Sequence, residues 1–246
     1  MCQSKRGDSK VYSRSSIPSL SHSAQWEEGV NSELLAISHK NSKDSIYGIV
    51  ISSYELILPK APLEKVLKKI KSVLQRSDVT KIYFEIQKPS EKSDISQWLT
   101  DFSILADWIQ DSSKDTQGKL GIKIRCGGRA PLTLDELSFL ILCASQRGVI
   151  VKFTQGLHQA VSQFDKEPYH LGFINLYYAL SLAYLSDSLS FRVDKDRLVE
   201  CLKDQEVCQR SLLTLSQIES AKEKHQATFG SCSLEEPAVS MATYFE

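Results

Sequence analysis

Gly121-Ile-Lys-Ile-Arg-Cys-Gly-Gly128 and Val149-Ile-Val-Lys-Phe-Thr-Gln-Gly-Leu-His158 decide the fold. Each reads as a short buried strand that carries a lysine and runs out into glycine. Between them, Thr133 and Glu136 have the spacing of a capping box, in which the hydroxyl accepts from an orphan amide and the carboxylate reaches back to the cap. Leu134, Leu137, Leu140, Ile141 and Ala144 follow as an apolar stripe at helical spacing, and Gly148 stops the helix just before the second strand. Strand, helix, strand in that order predicts parallel pairing through a right-handed crossover. Lys123 and Lys152 then lie in one sheet, with polar loops at its carboxyl edge, where parallel sheets place ligand sites.

The pattern extends in both directions. Tyr47–Ser52 reads as a strand, and Pro59 and Pro62 open a helix with Leu63, Val66, Leu67, Ile70 and Leu74 on one face. Lys81–Gln87 alternates Ile82, Phe84 and Ile86 against Tyr83 and Glu85, and Asp94 stands where a cap would precede the helix of Trp98, Leu99, Phe102 and Ile109. Beyond the second lysine strand come a buried helix over Leu171–Leu185, a short strand at Leu189–Val193, and a helix capped by Asp194. Helical sequence over Cys208–Lys222 and a last strand at Ala227–Ser233 complete the series. Residues 1–45 are rich in Ser and charge and read as a poorly ordered arm with a short helix near Gln25–Ile37. The expectation is one domain over residues 46–246: α/β, mostly parallel, an incomplete or irregular (β/α) barrel of five or six βα units, with an open doubly wound sheet as the alternative.

Composition narrows the class. The 246 residues hold 30 basic and 30 acidic side chains, so no net field favours nucleic acid or an anionic membrane. The lysines at 65, 68, 69 and 71 fall on the polar side of one helix. The six cysteines show no Cys-x-x-Cys pair and mostly sit in apolar patterns, which predicts reduced thiols in a cytoplasmic protein rather than a zinc site or disulfide scaffold. The five histidines are dispersed, with no His-x-x-x-His pair, so no metal site is expected. No cofactor motif is present: there is neither G-x-G-x-x-G nor a P-loop lysine. No apolar run reaches the length of a membrane span, and oligomeric state cannot be read.

Lys123 and Arg125, two apart on a strand, share a face. Two cations beside glycine-rich turns suit a phosphate or carboxylate, and a lysine in a dry setting can form an imine with a carbonyl. The competing reading is that both pair with an acid such as Glu85. Gly127 and Gly128 let backbone amides approach a ligand, or simply serve a turn. Lys152 lies between apolar neighbours and must surface or find a partner. His158, at the end of the same strand, could move protons near neutral pH. Asn175, inside an apolar helix, needs partners that a ligand or a neighbouring loop could supply. Gly230 and Ser231 offer another amide-rich cradle at the final strand; Cys232 has no base beside it.

Taken together, Lys123-Ile-Arg-Cys-Gly-Gly128, Lys152-Phe-Thr-Gln-Gly-Leu-His158, Gly172-Phe-Ile-Asn175 and Phe229-Gly-Ser-Cys-Ser-Leu-Glu-Glu-Pro237 resemble, in this order, segments of a largely uncharacterised bacterial family of TIM-like α/β-barrel-domain proteins. The resemblance runs from about Lys81 to the C-terminus. It implies a barrel-like fold with Lys123, Arg125, Lys152, His158 and Asn175 near one pocket, and no particular substrate. The family usually carries a second histidine where Gln159 stands and one directly before the glycine where Leu171 stands.

The functional expectation is therefore an enzyme in the lyase, aldolase or isomerase range acting on a small anionic, carbonyl-containing metabolite. Arg125 and the amides of Gly127, Gly128 and Gly230, with Ser231 and Asn175, would hold the ligand. Lys123, Lys152 and His158 would carry the chemistry. The alternative is a non-catalytic ligand-binding or protein-interaction protein on the same scaffold.

Overall fold

Strand residues two apart share a face, and the two faces of this sheet are built from different chemistry. The computed structural model describes residues 10–15, 29, 32, 49–60, 62–74, 81–116, 120–128, 130–164, 169–206, 213–230 and 235–245. Six strands, β1 (Lys10–Ser15), β2 (Ile49–Ile57), β3 (Lys81–Glu85), β4 (Leu120–Arg125), β5 (Ile150–Thr154) and β6 (Thr228–Gly230), form one sheet in that order. Every neighbouring pair is parallel. The helices are α1 (Leu63–Leu74), α2 (Ile95–Thr116), α3 (Leu134–Gln146), α4 (Phe173–Tyr184), α5 (Lys195–Lys203), α6 (Leu215–His225) and α7 (Glu235–Phe245). The sheet is open rather than closed into a barrel. Its strands follow chain order without a reversal, as in a barrel segment.

Sequential parallel strands joined by right-handed crossovers carry their helices on one face. The burial pattern agrees. Tyr54, Leu56, Ile82, Phe84, Ile122, Ile124, Val151 and Phe153 point into a core shared with Leu105 and Ile109 of α2, Leu140 and Ile141 of α3, and Leu180 of α4. The intervening positions, Glu55, Tyr83, Glu85, Lys123 and Lys152, are buried outside that core.

Local signals account for the helices. The Thr133 hydroxyl accepts from the Glu136 amide and the Glu136 carboxylate accepts from the Thr133 amide, as capping-box spacing requires. Asp194 accepts from the amide of Arg197 at the start of α5, and Gly148 ends α3 with φ of +62°, a conformation that costs glycine little.

Several expectations need correction. Lys10–Ser15, expected within a poorly ordered arm, is the edge strand β1; its short run holds too few apolar residues for periodicity to show. Of the helix expected near Gln25–Ile37, only Gly29 and Ser32 are described, both helical. β2 continues to Ile57 instead of stopping at Ser52, because Ser53, Glu55 and Ile57 occupy one face while Tyr54 and Leu56 occupy the other. Asp94 belongs to a 3-10 turn, Lys92–Asp94, that runs straight into α2. Leu189–Val193 is not a strand. Its Leu189, Phe191 and Val193 pack on the core as loop residues, while the edge of β5 that they would have needed is taken by β6. Over Cys208–Lys222 the described helix is α6, capped by Thr214, and α7 was not anticipated.

Candidate functional site

Strand register brings the two lysines together. Lys123 and Lys152 are direct neighbours across β4 and β5, on the face away from the helices. Both are nearly inaccessible, at 6% and 8% exposure, so each ammonium needs a counter-charge. One residue supplies it. The carboxylate of Glu55, on β2, meets Lys123 Nζ through Oε2 at 2.6 Å and Lys152 Nζ through Oε1 at 2.5 Å. Burial pushes the Glu55 carboxyl up, but the hydrogen bonds and charges of Lys123 and Lys152 outweigh it and hold the group below the ordinary carboxylate value.

The chain of charges continues towards the carboxyl ends of the strands. Lys123 also faces Glu85 Oε2 at 3.1 Å, and Glu85 Oε1 accepts from Arg125 Nε at 2.5 Å. The Lys123–Glu85 contact is ionic only, which leaves Oε2 of Glu85 buried without a hydrogen bond among the described residues. Glu85 is 2% exposed, whereas the Arg125 side chain keeps 35% of its surface. The network thus runs from a dry interior to an accessible guanidinium. Pairing with Glu85, one of the two roles read for Lys123 and Arg125, is realised; Glu55 was missed. An acid at an interior position of a strand otherwise rich in buried residues was its only mark in the sequence.

Beneath the network lies Tyr83. A Cβ on Gly121 would come within 2.9 Å of the Tyr83 ring and 2.7 Å of the Ile150 side chain, so the glycine leaves space for the phenol to lie across β4. The Lys152 ammonium stands 5.7 Å from the ring centroid, within the range of a cation–π contact.

At the open end, Arg125 enters a cleft of about 550 Å³ together with Lys60, Glu85, Lys88, Lys123, Gly127, Gly128 and Gln155. Ile86, Trp98, Phe102, Leu132 and Leu140 add apolar wall. Gly127 and Gly156 fix its rim: a Cβ on either would lie 3.1 or 3.2 Å from the other's Cα, so the loops after β4 and β5 touch backbone to backbone. Gln155 and Gly156 both have positive φ. With its amide oxygen turned to the guanidinium, Gln155 accepts from Arg125 Nη1 at 3.1 Å and donates to the Gly127 carbonyl at 3.3 Å.

The remaining site candidates lie elsewhere. His158 is paired through Nδ1 with Glu236 of α7 and is not among the described residues lining the cleft. Asn175 is fully buried, accepts from the Ser162 amide at 2.8 Å, and donates to the carbonyls of Cys201 and Asp204. It braces the loop after β5, the second of the two roles read for it. Gly172 serves the same loop, because a Cβ there would sit 2.3 Å from the Ser162 amide nitrogen. Gly230 lies in β6 beside Thr154, outside the cleft's described lining; Ser231 and Cys232 are outside the described residues. Cys126, Cys143 and Cys201 are free thiols. No group of three or more His, Cys, Asp or Glu side chains among the described residues is placed to hold a metal ion, and no described helix is long and apolar enough to cross a membrane.

Comparison with protein-family models, with curated proteins and with solved structures finds no match to this chain. Geometry and chemistry alone bear on its function.

Proposed function

We propose that the cleft at the carboxyl ends of β3, β4 and β5 binds a small anionic, carbonyl-containing metabolite and catalyses proton transfer next to its carbonyl, a step common to isomerases and lyases. One observation carries the reading: a buried carboxylate oxygen without a hydrogen bond among the described residues, Glu85 Oε2, faces a buried ammonium, Lys123, beside a partly exposed guanidinium in one cleft. Buried polar atoms rarely go without a hydrogen bond.

Arg125 anchors the ligand's anionic group. Glu85 takes the proton from the carbon beside the carbonyl. The electron pair released moves to the carbonyl oxygen, where the Lys123 ammonium stabilises it. Where the deprotonated carbon bears a hydroxyl, return of the proton to the former carbonyl carbon, with the hydroxyl proton passing to the enolate oxygen, completes an isomerisation; where the carbon on its far side bears a leaving group, departure of that group with its bonding pair as the carbonyl re-forms completes an elimination. Glu55 and Lys152 hold Lys123 in place. In this scheme Glu85 takes the proton-moving role expected of His158. The free thiols suit a reducing, cytoplasmic setting.

The test is deuterium exchange. A panel of 2-oxo and 3-oxo acids in D₂O, followed by NMR, is expected to include compounds that lose the proton beside the carbonyl with the wild-type protein. Glu85→Gln should abolish that exchange while keeping binding, and Arg125→Gln should weaken binding about 10- to 100-fold. Borohydride should trap no lysine adduct, since both ammonium groups are held by Glu55. Failure of every compound to bind, or binding indifferent to Arg125→Gln, overturns the reading. A second reading, binding without turnover, is favoured by the carboxylate partners that Lys123, Arg125 and Lys152 already have; binding without exchange would select it.

A further inference from the structure

We infer that the ligand of this cleft carries two separate anionic groups, one met by Arg125 and the other by Lys60. The inference rests on the anion-binding reading of the cleft and adds a second charge to it. Three successive strands deliver a cation to one mouth: Lys60 follows β2, Lys88 follows β3, and Arg125 ends β4. Lys88 is used within the protein, where its ammonium contacts the Pro131 carbonyl and the Glu136 carboxylate, each at 2.7 Å. Lys60 differs: it is exposed, lines the cleft, and makes no ion pair among the described residues.

Accessibility gives the number of anionic groups. Of the four cations that line the cleft, Lys123 is buried between Glu55 and Glu85, and Lys88 is held by Glu136. Arg125 keeps 35% of its side-chain surface and Lys60 is exposed. Two cations of the lining are therefore open to an incoming anion, which two anionic groups match. Spacing argues for two groups rather than one doubly charged group. β2 and β4 are second neighbours in the sheet, so their ends stand about 10 Å apart. Side chains converging from that separation meet opposite ends of a short molecule. The apolar wall of Ile86, Trp98, Phe102 and Leu132 suits a carbon skeleton between the ends. A dicarboxylate or a phosphorylated carboxylate has this form.

Calorimetric titration of the full chain with succinate, acetate and inorganic phosphate at pH 8 tests the inference. Succinate should bind about 10-fold more tightly than acetate. Lys60→Ala should remove that advantage while leaving acetate affinity within about twofold, because an exposed lysine adds little to a single-charge ligand bound at Arg125. The variant should melt with the wild type, since Lys60 has no ion pair to lose among the described residues. Equal affinity for succinate and acetate, or a succinate advantage that survives Lys60→Ala, overturns the two-ended ligand and leaves the anion cleft standing. Phosphate binding as tightly as succinate overturns the separation of the charges. If none of the three binds, and the oxo-acid panel also fails, the parent reading falls with it.

Discussion

On the helical face of the sheet, Phe84, Ile122 and Val151 are fully buried among apolar groups, while one residue away on the same strands Glu85, Lys123 and Lys152 are almost as buried among charges. The helical face gains from every Å² of apolar surface removed from water. The charged face does not. Attraction between its ions is offset by the cost of taking them out of water, and well-packed apolar replacements of such networks are often as stable or more so. A protein needing only stability would have little reason to put two lysines side by side in mid-sheet. On the reading proposed above, stability resides on one face and function on the other.

The largest effect expected comes from breaking the charged face unevenly. Glu55→Ala removes the carboxylate shared by Lys123 and Lys152 and should cost about 3–5 kcal/mol in urea unfolding, because two buried ammonium groups lose a common counter-charge. Replacing the three together, Glu55→Leu with Lys123→Met and Lys152→Met, should restore the wild-type midpoint or raise it, yet abolish deuterium exchange. If instead the triple variant is as unstable as the single one, the charges are structural and the division between the faces is wrong.

A smaller effect sharpens the comparison from the helical side. His225, at the end of α6, is inaccessible, accepts from the Ala227 amide through Nδ1, and lies edge-on to the rings of Tyr177 and Tyr184. Burial pushes its pKa down from 6.5 to about 4. The unfolded chain therefore takes up this proton first as pH falls. Stability is complete above about pH 6.5 and declines towards pH 4, by about 3 kcal/mol at 1.36 kcal/mol per pH unit. Glu55 acts later: its carboxyl is held below 4.5, so its contribution is present above that pH and is lost below it. Unfolding free energies measured from pH 8 to 3 should show the histidine's decline first, and His225→Phe should remove that part alone. A curve unchanged by His225→Phe would put the acid sensitivity elsewhere.

Legibility in the sequence follows the range of the interactions. β4, the α3 capping box and the Asp194 cap were readable because their determinants lie within a few residues. So was the shared face of Lys123 and Arg125. Glu55 pairs with Lys123 across 68 positions of sequence, a contact that depends on strand order and register, and no local pattern encodes it. The roles of Gly127 and Gly156 were hidden for the same reason: each glycine is required by the other's backbone. Leu189–Val193 has the alternation of a strand, but alternation cannot tell whether an edge is free to pair. α7 did carry a signal, since Glu235, Glu236 and Pro237 have the acidic, proline-bearing composition of a helix start.

The smallest effect tests whether the two faces meet at the cleft's rim. Glu136 Oε2 accepts both the Thr133 amide at 2.8 Å and the Lys88 ammonium at 2.7 Å, so one carboxylate oxygen caps a helix and steadies a cation of the site. Thr133→Ala deletes the hydroxyl that caps Glu136's own amide but keeps that oxygen. It should lower stability by about 1 kcal/mol and leave succinate affinity unchanged. Glu136→Gln gives up the charge opposite Lys88 as well. With Lys88 no longer neutralised, the cleft becomes more positive, and succinate should bind about 3-fold more tightly even as the helix loses part of its cap. Stability and affinity moving in opposite directions in one variant would show that the rim trades helix capping against anion binding. A parallel loss of both would mean that Lys88 needs Glu136 to stay in the cleft.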